Sequence, residues 1–334
     1  MTDVKKTLSF AKGEHHVANE MRIPEGFARR VRNFNIDDGG LLIARRRFEK
    51  AAIGGHSPFV MPDQRSALFF DGGRLMRFTD TEAVLPVRGE SGEFSLPGTG
   101  RVWYALVNDR VYFSNGHGNG MLRTDGVAVV WGKDREAWFV GAPDDTELLP
   151  MALEAFPPAR YLAHFGGRIY GAVDNLVLMT APLDYSSYDP RYDYVTLPSE
   201  VTAIGSVVDG IYLGTTQGVY FYKPDKDASI TQVSDPPAIA GSQVYVPYLS
   251  LGIEAIGGAP MADAFCWLTR EGLCAGLPGG QLRALTGGVV KLPAEIAPRT
   301  SLVQTDGFYQ IVSVLEPPAI SQELGARDTV TVTL

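Results

Sequence analysis

Residues 101–132 read RVWYALVNDRVYFSNGHGNGMLRTDGVAVVWG. Three turn signals cut this stretch: Asn108-Asp109, Gly116-His117-Gly118-Asn119 and Asp125-Gly126. All are rich in residues that tolerate positive φ or bond back to their own backbone. Between them lie four short runs, Val102–Val107, Arg110–Asn115, Gly120–Asp125 and Val127–Gly132, which the pattern predicts as antiparallel strands. Four strands in so short a stretch make one small sheet, and one such sheet cannot cover both its faces. A chain with one unit of this kind is expected to repeat it.

The repeat is present. A first unit has Ala67–Phe70, the turn Asp71-Gly72-Gly73, Arg74–Phe78 and Ala83–Val87. The third has Tyr161–Gly166, Arg168–Val173, Asn175–Ala181 and Tyr192–Leu197. The fourth has Val201–Val207, Ile211–Gly214, Gly218–Tyr222 and Ile230–Val233. A fifth is drawn as Leu251–Ile256, Ala264–Thr269, Gly272–Leu277 and Gln281–Leu285, and a sixth opens with Arg299–Gln304 and Phe308–Leu315. Unit starts near 56, 102, 161, 201, 250 and 298 are 46, 59, 40, 49 and 48 residues apart. Four strands at that period predict an all-β chain and, within that class, a β-propeller. Six blades is the favoured count, with five or seven as alternatives. The hairpin at 31–48 and the terminal Asp328–Leu334 are spare strands, expected to complete the sixth unit and close the ring. Residues 1–22 are polar and aperiodic and read as a flexible arm, and 23–334 as one domain.

With 45% hydrophobic and 20% charged residues, the composition is that of an ordinary globular protein. The net charge of −8 argues against nonspecific nucleic-acid binding by a basic face. No apolar run approaches the roughly 18 residues that span a bilayer, so no membrane association is expected. Two cysteines in 334 residues imply no disulfide framework.

Residues that carry chemistry form no constellation. His15, His16, His56, His117 and His164 stand at no metal-ligand spacing. Cys266 and Cys274 flank the turn Arg270-Glu271-Gly272 and read as buried free thiols, a cross-hairpin bridge being the alternative. The segment Gly116–Gly120 lacks the lysine of a phosphate loop and precedes a strand, so it reads as a hairpin turn. Asp37-Asp38 and Asp144-Asp145 lack calcium-loop spacing. No catalytic residue, cofactor or metal is therefore expected. One helix is expected at Thr146–Ala155, between Pro143 and Pro157.

Two clusters suggest partner contacts. Arg45, Arg46 and Arg47, with Arg29, Arg30, Arg32 and Lys50, form a basic group suited to a partner's acids, nucleic acid being the alternative. The excursion Pro182–Asp193 (PLDYSSYDPRYD) concentrates Tyr185, Tyr188, Arg191 and Tyr192, residue types that dominate interface hot spots.

The string VLMTAPLDYSSYDPRYD at 177–193, followed by Val201–Gly205, Asp209–Gly214 and Gly218–Tyr222, resembles the tail-hub or nozzle proteins of short-tailed phages, also called packaged-DNA stabilisation proteins. Leu251–Ile253, Ala262–Leu268 and the opening Phe27–Phe48 are similar to the same family. The resemblance implies a virion tail component with a propeller body, assembled in the host cytoplasm into a ring, commonly hexameric. It implies neighbours such as a portal adaptor, tail fibre or tube proteins, and genomic DNA passing through the channel without sequence-specific binding. An acidic channel wall suits that passage, because it does not grip phosphate. The alternative from another class is a carbohydrate-binding or glycan-cleaving propeller whose tyrosines stack on sugar rings.

Overall fold

A computed structural model describes residues 34–36, 42–44, 54–79, 81, 83–132, 153–224, 228–251, 263–286, 291–292, 296–305, 308–316 and 328–333. Among these the chain is all-β: strands, turns and short 3-10 turns at Tyr248–Leu251 and Pro278–Gly280, with no α-helix. Six larger sheets follow one another in chain order, most of them four-stranded antiparallel meanders. The described chain falls into two compact units, one holding 52–206 and 213–216, the other 1–51, 207–212 and 217–334.

The unit built on 52–206 holds the first three sheets. The first is His56–Val60, Ser66–Asp71, Arg74–Thr79 and Val84–Pro86. The second is Trp103–Val107, Arg110–Ser114, Asn119–Leu122 and Ala128–Val130, the four strands expected from 101–132. Asn108 and Asp109 both take positive φ, 49° and 60°, as a two-residue hairpin turn requires. The second sheet gains two strands that the sequence did not signal, Arg88–Gly89 and Gly92–Glu93, the former parallel to Ala128–Val130. At two residues each they are too short for any alternation to appear. The third sheet is Arg160–Phe165, Arg168–Val173, Leu176–Met179 and Tyr194–Thr196.

Stacking explains why these strands read as nearly continuous apolar runs. In Arg110–Ser114 alternate side chains point to opposite faces. Val111 and Phe113 join Leu68, Phe70, Leu75 and Phe94 in the core shared with the first sheet. Tyr112, between them, joins Trp131, Phe156, Leu162 and Ile169 in the core shared with the third. A sheet buried on both faces must be apolar at every position. Several polar groups at the seams are paired. The Tyr104 hydroxyl donates to the Ser57 carbonyl at 2.8 Å, and the Val102 amide to Ser57 Oγ at 2.9 Å. Ser114 Oγ accepts from the Ala159 amide at 2.9 Å, and Asn119 Nδ2 donates to the Phe156 carbonyl at 2.7 Å.

The fourth sheet runs Val201–Val207, Gly210–Thr215, Val219–Lys223 and Ser229–Ser234 in order, close to expectation. In the fifth, the first strand is Val244–Pro247, not Leu251–Ile256. Val246 is fully buried in the core there, while Tyr248–Leu251 turns away as a 3-10 segment. Residues 252–256 lie outside the described residues. Its remaining strands are Asp263–Thr269, Gly272–Gly276 and Leu282–Ala284. The sixth sheet pairs Ala297–Thr305 with Phe308–Glu316, and the terminal Asp328–Thr333 adds as its third strand. The N-terminal hairpin behaves otherwise: Phe34–Ile36 pairs with Leu42–Ala44 and, among the described residues, joins no larger sheet. The expected helix is also corrected at its end, since Glu154–Ala155 is a short strand paired with Ser187–Tyr188; residues 146–152 lie outside the described residues.

Register settles the cysteines. Cys266 stands opposite Ala275, and Cys274 opposite Trp267, so the two thiols leave opposite faces of the sheet and remain free. Burial pushes the Cys266 thiol up to about 12 and raises that of Cys274 as well. A thiol reagent at neutral pH is therefore expected to label neither cysteine quickly in the folded protein and both in denaturant, checked by counting released chromophore. Rapid native labelling of Cys266 would contradict its burial.

Candidate functional site

The excursion Pro182–Asp193 leaves the third sheet after Leu176–Met179 and returns as Tyr194–Thr196. Its shape is held by its own side chains. Asp184 Oδ1 accepts the Ser186 amide at 3.0 Å, and the Ser187 hydroxyl donates to the other oxygen of the same carboxylate. The Ala181 amide donates to the Ser187 carbonyl at 2.8 Å and the Leu183 amide to the Gly167 carbonyl at 2.8 Å. Leu183 sits at φ 59°. For a leucine that is a costly conformation, kept only where surrounding bonds over-determine it.

The second half turns on two aspartates that local composition did not single out. Asp189 is buried, and both its oxygens grip Arg191, at 3.0 Å to Nε and 2.8 Å to Nη2, while Oδ1 also takes the Arg191 amide. These bonds hold the Asp189 carboxyl below its ordinary range, the Arg191 side chain being the largest cause. Asp193, also buried, accepts Arg168 Nη1 at 2.6 Å and the Asp189 amide at 2.9 Å. Arg168 in turn donates to the Thr180 carbonyl at 3.1 Å. Both carboxylates are thus engaged as braces, and neither is paired with the other as an acid–base couple. The segment Asp189-Pro190-Arg191 carried the readable signal, because Asp before Pro caps its own turn.

The four loop residues expected to meet a partner divide evenly. Tyr185 and Tyr188 turn inward: Tyr185 lies 6.1 Å from Tyr112 and 5.7 Å from His164 between ring centroids, and Tyr188 meets Phe156 edge-on at 5.9 Å. The Tyr185 carbonyl also accepts the Trp131 indole N–H at 2.5 Å. Arg191 and Tyr192 turn outward, the guanidinium 5.3 Å from the Tyr192 ring. Tyr192 is 76% exposed and Leu183, which the sequence reading overlooked, 77%. Tyr194 on the returning strand is exposed too. The loop and its returning strand thus turn two tyrosines, a leucine and an arginine outward from a backbone that is already fixed. Arg45, Arg46 and Arg47 lie outside the described residues.

Other candidates resolve locally. The 115–118 turn spends its amides internally: Asn115 Oδ1 accepts those of both His117 and Gly118 at 2.9 Å, leaving neither for a phosphate. His117 is exposed on that turn. Among the described residues, no group of three His, Cys, Asp or Glu side chains comes together as a metal site, and no helix is long and apolar enough to cross a membrane.

No protein-family model matches the chain, and no curated protein matches it. Among solved structures, the extracellular domain of a hybrid two-component system from B. thetaiotaomicron aligns with a TM-score of 0.48 at 13% identity, covering 84% of this chain and 35% of that one. The AfRom2 CNH domain aligns at 0.43 and 8% identity, covering 84% of each chain. A protein from Lactobacillus plantarum aligns at 0.41 and 12% identity, covering 80% of this chain and 81% of that one.

Proposed function

We propose that this chain is a six-bladed β-propeller without catalytic function, serving as a structural component of a phage tail. In this reading it is a tail hub, nozzle or head-to-tail connector, and copies form a ring around the DNA channel. The observation that carries the reading is the 182–193 loop, a rigidly braced segment that presents Leu183, Arg191 and Tyr192 to solvent. Preordering of this kind removes the loop-ordering part of the entropy cost of docking. Tyrosine and arginine on a fixed backbone are the side chains that anchor protein interfaces. Antiparallel sheets that follow one another in chain order, most of them four-stranded, with a terminal strand added to the last, support the propeller. The likeness of 177–222 to tail-hub proteins supplies the biological setting. DNA would pass without sequence-specific contact, and the neighbours would be other tail and connector proteins.

The test is light scattering of the full-length protein over a range of concentrations, alone and with Tyr192→Ala. A mass near six times that of one chain is expected. The Tyr192→Ala protein is expected to dissociate at higher concentration, with thermal stability within about 0.5 kcal/mol of the parent, since a surface residue contributes little to folding. A monomer at every concentration that binds a glycan array through the same loop would replace this reading with a carbohydrate-binding one.

A further inference from the structure

Beneath the 182–193 loop lies a histidine for which neither the fold nor the proposed function accounts. His164 sits on Arg160–Phe165, opposite Ile169, and its ring meets Tyr185 edge-on with centroids 5.7 Å apart. Its Nε2 is buried and has no hydrogen-bond partner. The Tyr185 it touches is the loop's inward anchor: its backbone carbonyl accepts the Trp131 indole N–H and its ring packs against Tyr112. We propose that His164 is a proton-operated latch for this loop: neutral, it lets Tyr185 pack inward, and protonated, it drives Tyr185 and the loop backbone outward.

The reason is the state of Nε2. In the imidazolium both ring nitrogens carry protons, so the buried Nε2 becomes a charged donor with nothing to receive it. Charged groups nearby are engaged elsewhere. Arg168, across the hairpin, is bound to Asp193 and Thr180. Asp184, on the loop, is taken up by Ser186 and Ser187. Arg110, from the second sheet, interacts with the Tyr112 hydroxyl. Burial raises the nearby Tyr112 hydroxyl above its ordinary range, so it stays neutral throughout the pH range in which histidine titrates. Desolvation accordingly lowers the His164 pKa below its ordinary value. The unfolded chain binds the proton more readily than the folded one. Stability tied to the neutral ring is therefore complete above about pH 6.5 and is lost as the pH falls through the histidine range.

The test uses hydrogen exchange of the Ala181, Leu183 and Phe156 amides, whose acceptors hold the loop in place. Between pH 7.5 and 5.0, after correction for intrinsic exchange, their protection is expected to fall at least about threefold in the parent and to stay level in His164→Phe. An NMR titration of the His164 ring in the parent accompanies it. A midpoint at or above about 6.5 overturns the proposal, as does a flat response of the parent amides or an equal acid response in His164→Phe. Should His164→Phe fail to fold, the parent titration and exchange decide the matter. None of these readouts depends on ring assembly, so the latch and the proposed function stand or fall separately.

Discussion

Replacing Phe113 with alanine is expected to destabilise the unit built on residues 52–206 by about 3–5 kcal/mol, the usual cost of emptying a fully buried aromatic site. Phe113 is wholly buried between the first and second sheets. Its ring meets Phe94 edge-on at 5.5 Å, Phe70 at 5.8 Å and Tyr104 at 6.3 Å. Removing it leaves three aromatic neighbours facing a void that rigid strands cannot close. The site exists because of the residue across the ladder: Phe113 stands opposite Gly120, and a Cβ at that glycine would lie 2.5 Å from the Phe113 ring. The glycine makes room for the ring, and the ring covers the backbone that the glycine exposes. Gly120→Ala is therefore destabilising by itself but less so in a Phe113→Ala background, and a double-mutant cycle on the thermal midpoints reads that coupling. A loss below about 1 kcal/mol for Phe113→Ala would mean that the first two sheets are not stacked on this residue.

The second large effect is expected at Asp193. Asp193→Ala removes the acceptor for Arg168 and for the Asp189 amide together. It leaves a guanidinium in a largely buried setting without its counter-charge. Breaking a buried pair from one side costs about 3–5 kcal/mol. Arg168 keeps the Thr180 carbonyl and some access to solvent, so about 2–3 kcal/mol is the expectation here. The larger consequence is local. Asp189, which holds Arg191, loses its own amide contact, and the outward side chains lose their backbone support. Trypsin cleavage after Arg191 should then outpace cleavage of the parent, while Asp193→Asn, which can still accept the Asp189 amide, should fall between the two. Equal cleavage of all three proteins would show that the loop is held without this pair. Set beside Tyr192→Ala, the comparison separates a residue that holds the loop from one that would contact a partner.

The contrast between Phe113 and Asp193 marks how far sequence reasoning reaches. Residues 101–132 were legible because every feature was local: a two-residue Asn-Asp turn, an Asp-Gly turn and short runs of strand-forming residues between them. The terminal strand 328–333 was legible too, as an alternating Thr-Val run with no partner of its own nearby. The fifth sheet was misdrawn because apolar residues run from Val244 towards Ile256, and the pattern alone does not say where the strand stops. The two-residue strands at 88–89 and 92–93 had no pattern to read.

At the candidate site the limit was sharper. Tyr185 and Tyr192 are the same residue in the same loop, and local composition treats them alike. Tyr185 is drawn inward because Trp131 and Tyr112, far away in the chain, supply an indole N–H and a ring at that spot. Tyr192 has no such neighbour and is left in water. The amino-acid sequence by itself determined the repeat of turns and strands, and so the all-β class, since these depend on turn chemistry and strand propensity within a few residues. Only the tertiary structure decided which tyrosines are core and which are surface, which aspartates brace the loop, and that His164 lies beneath it. Those outcomes depend on which strands stack against each other, a contact between distant residues that no local pattern encodes.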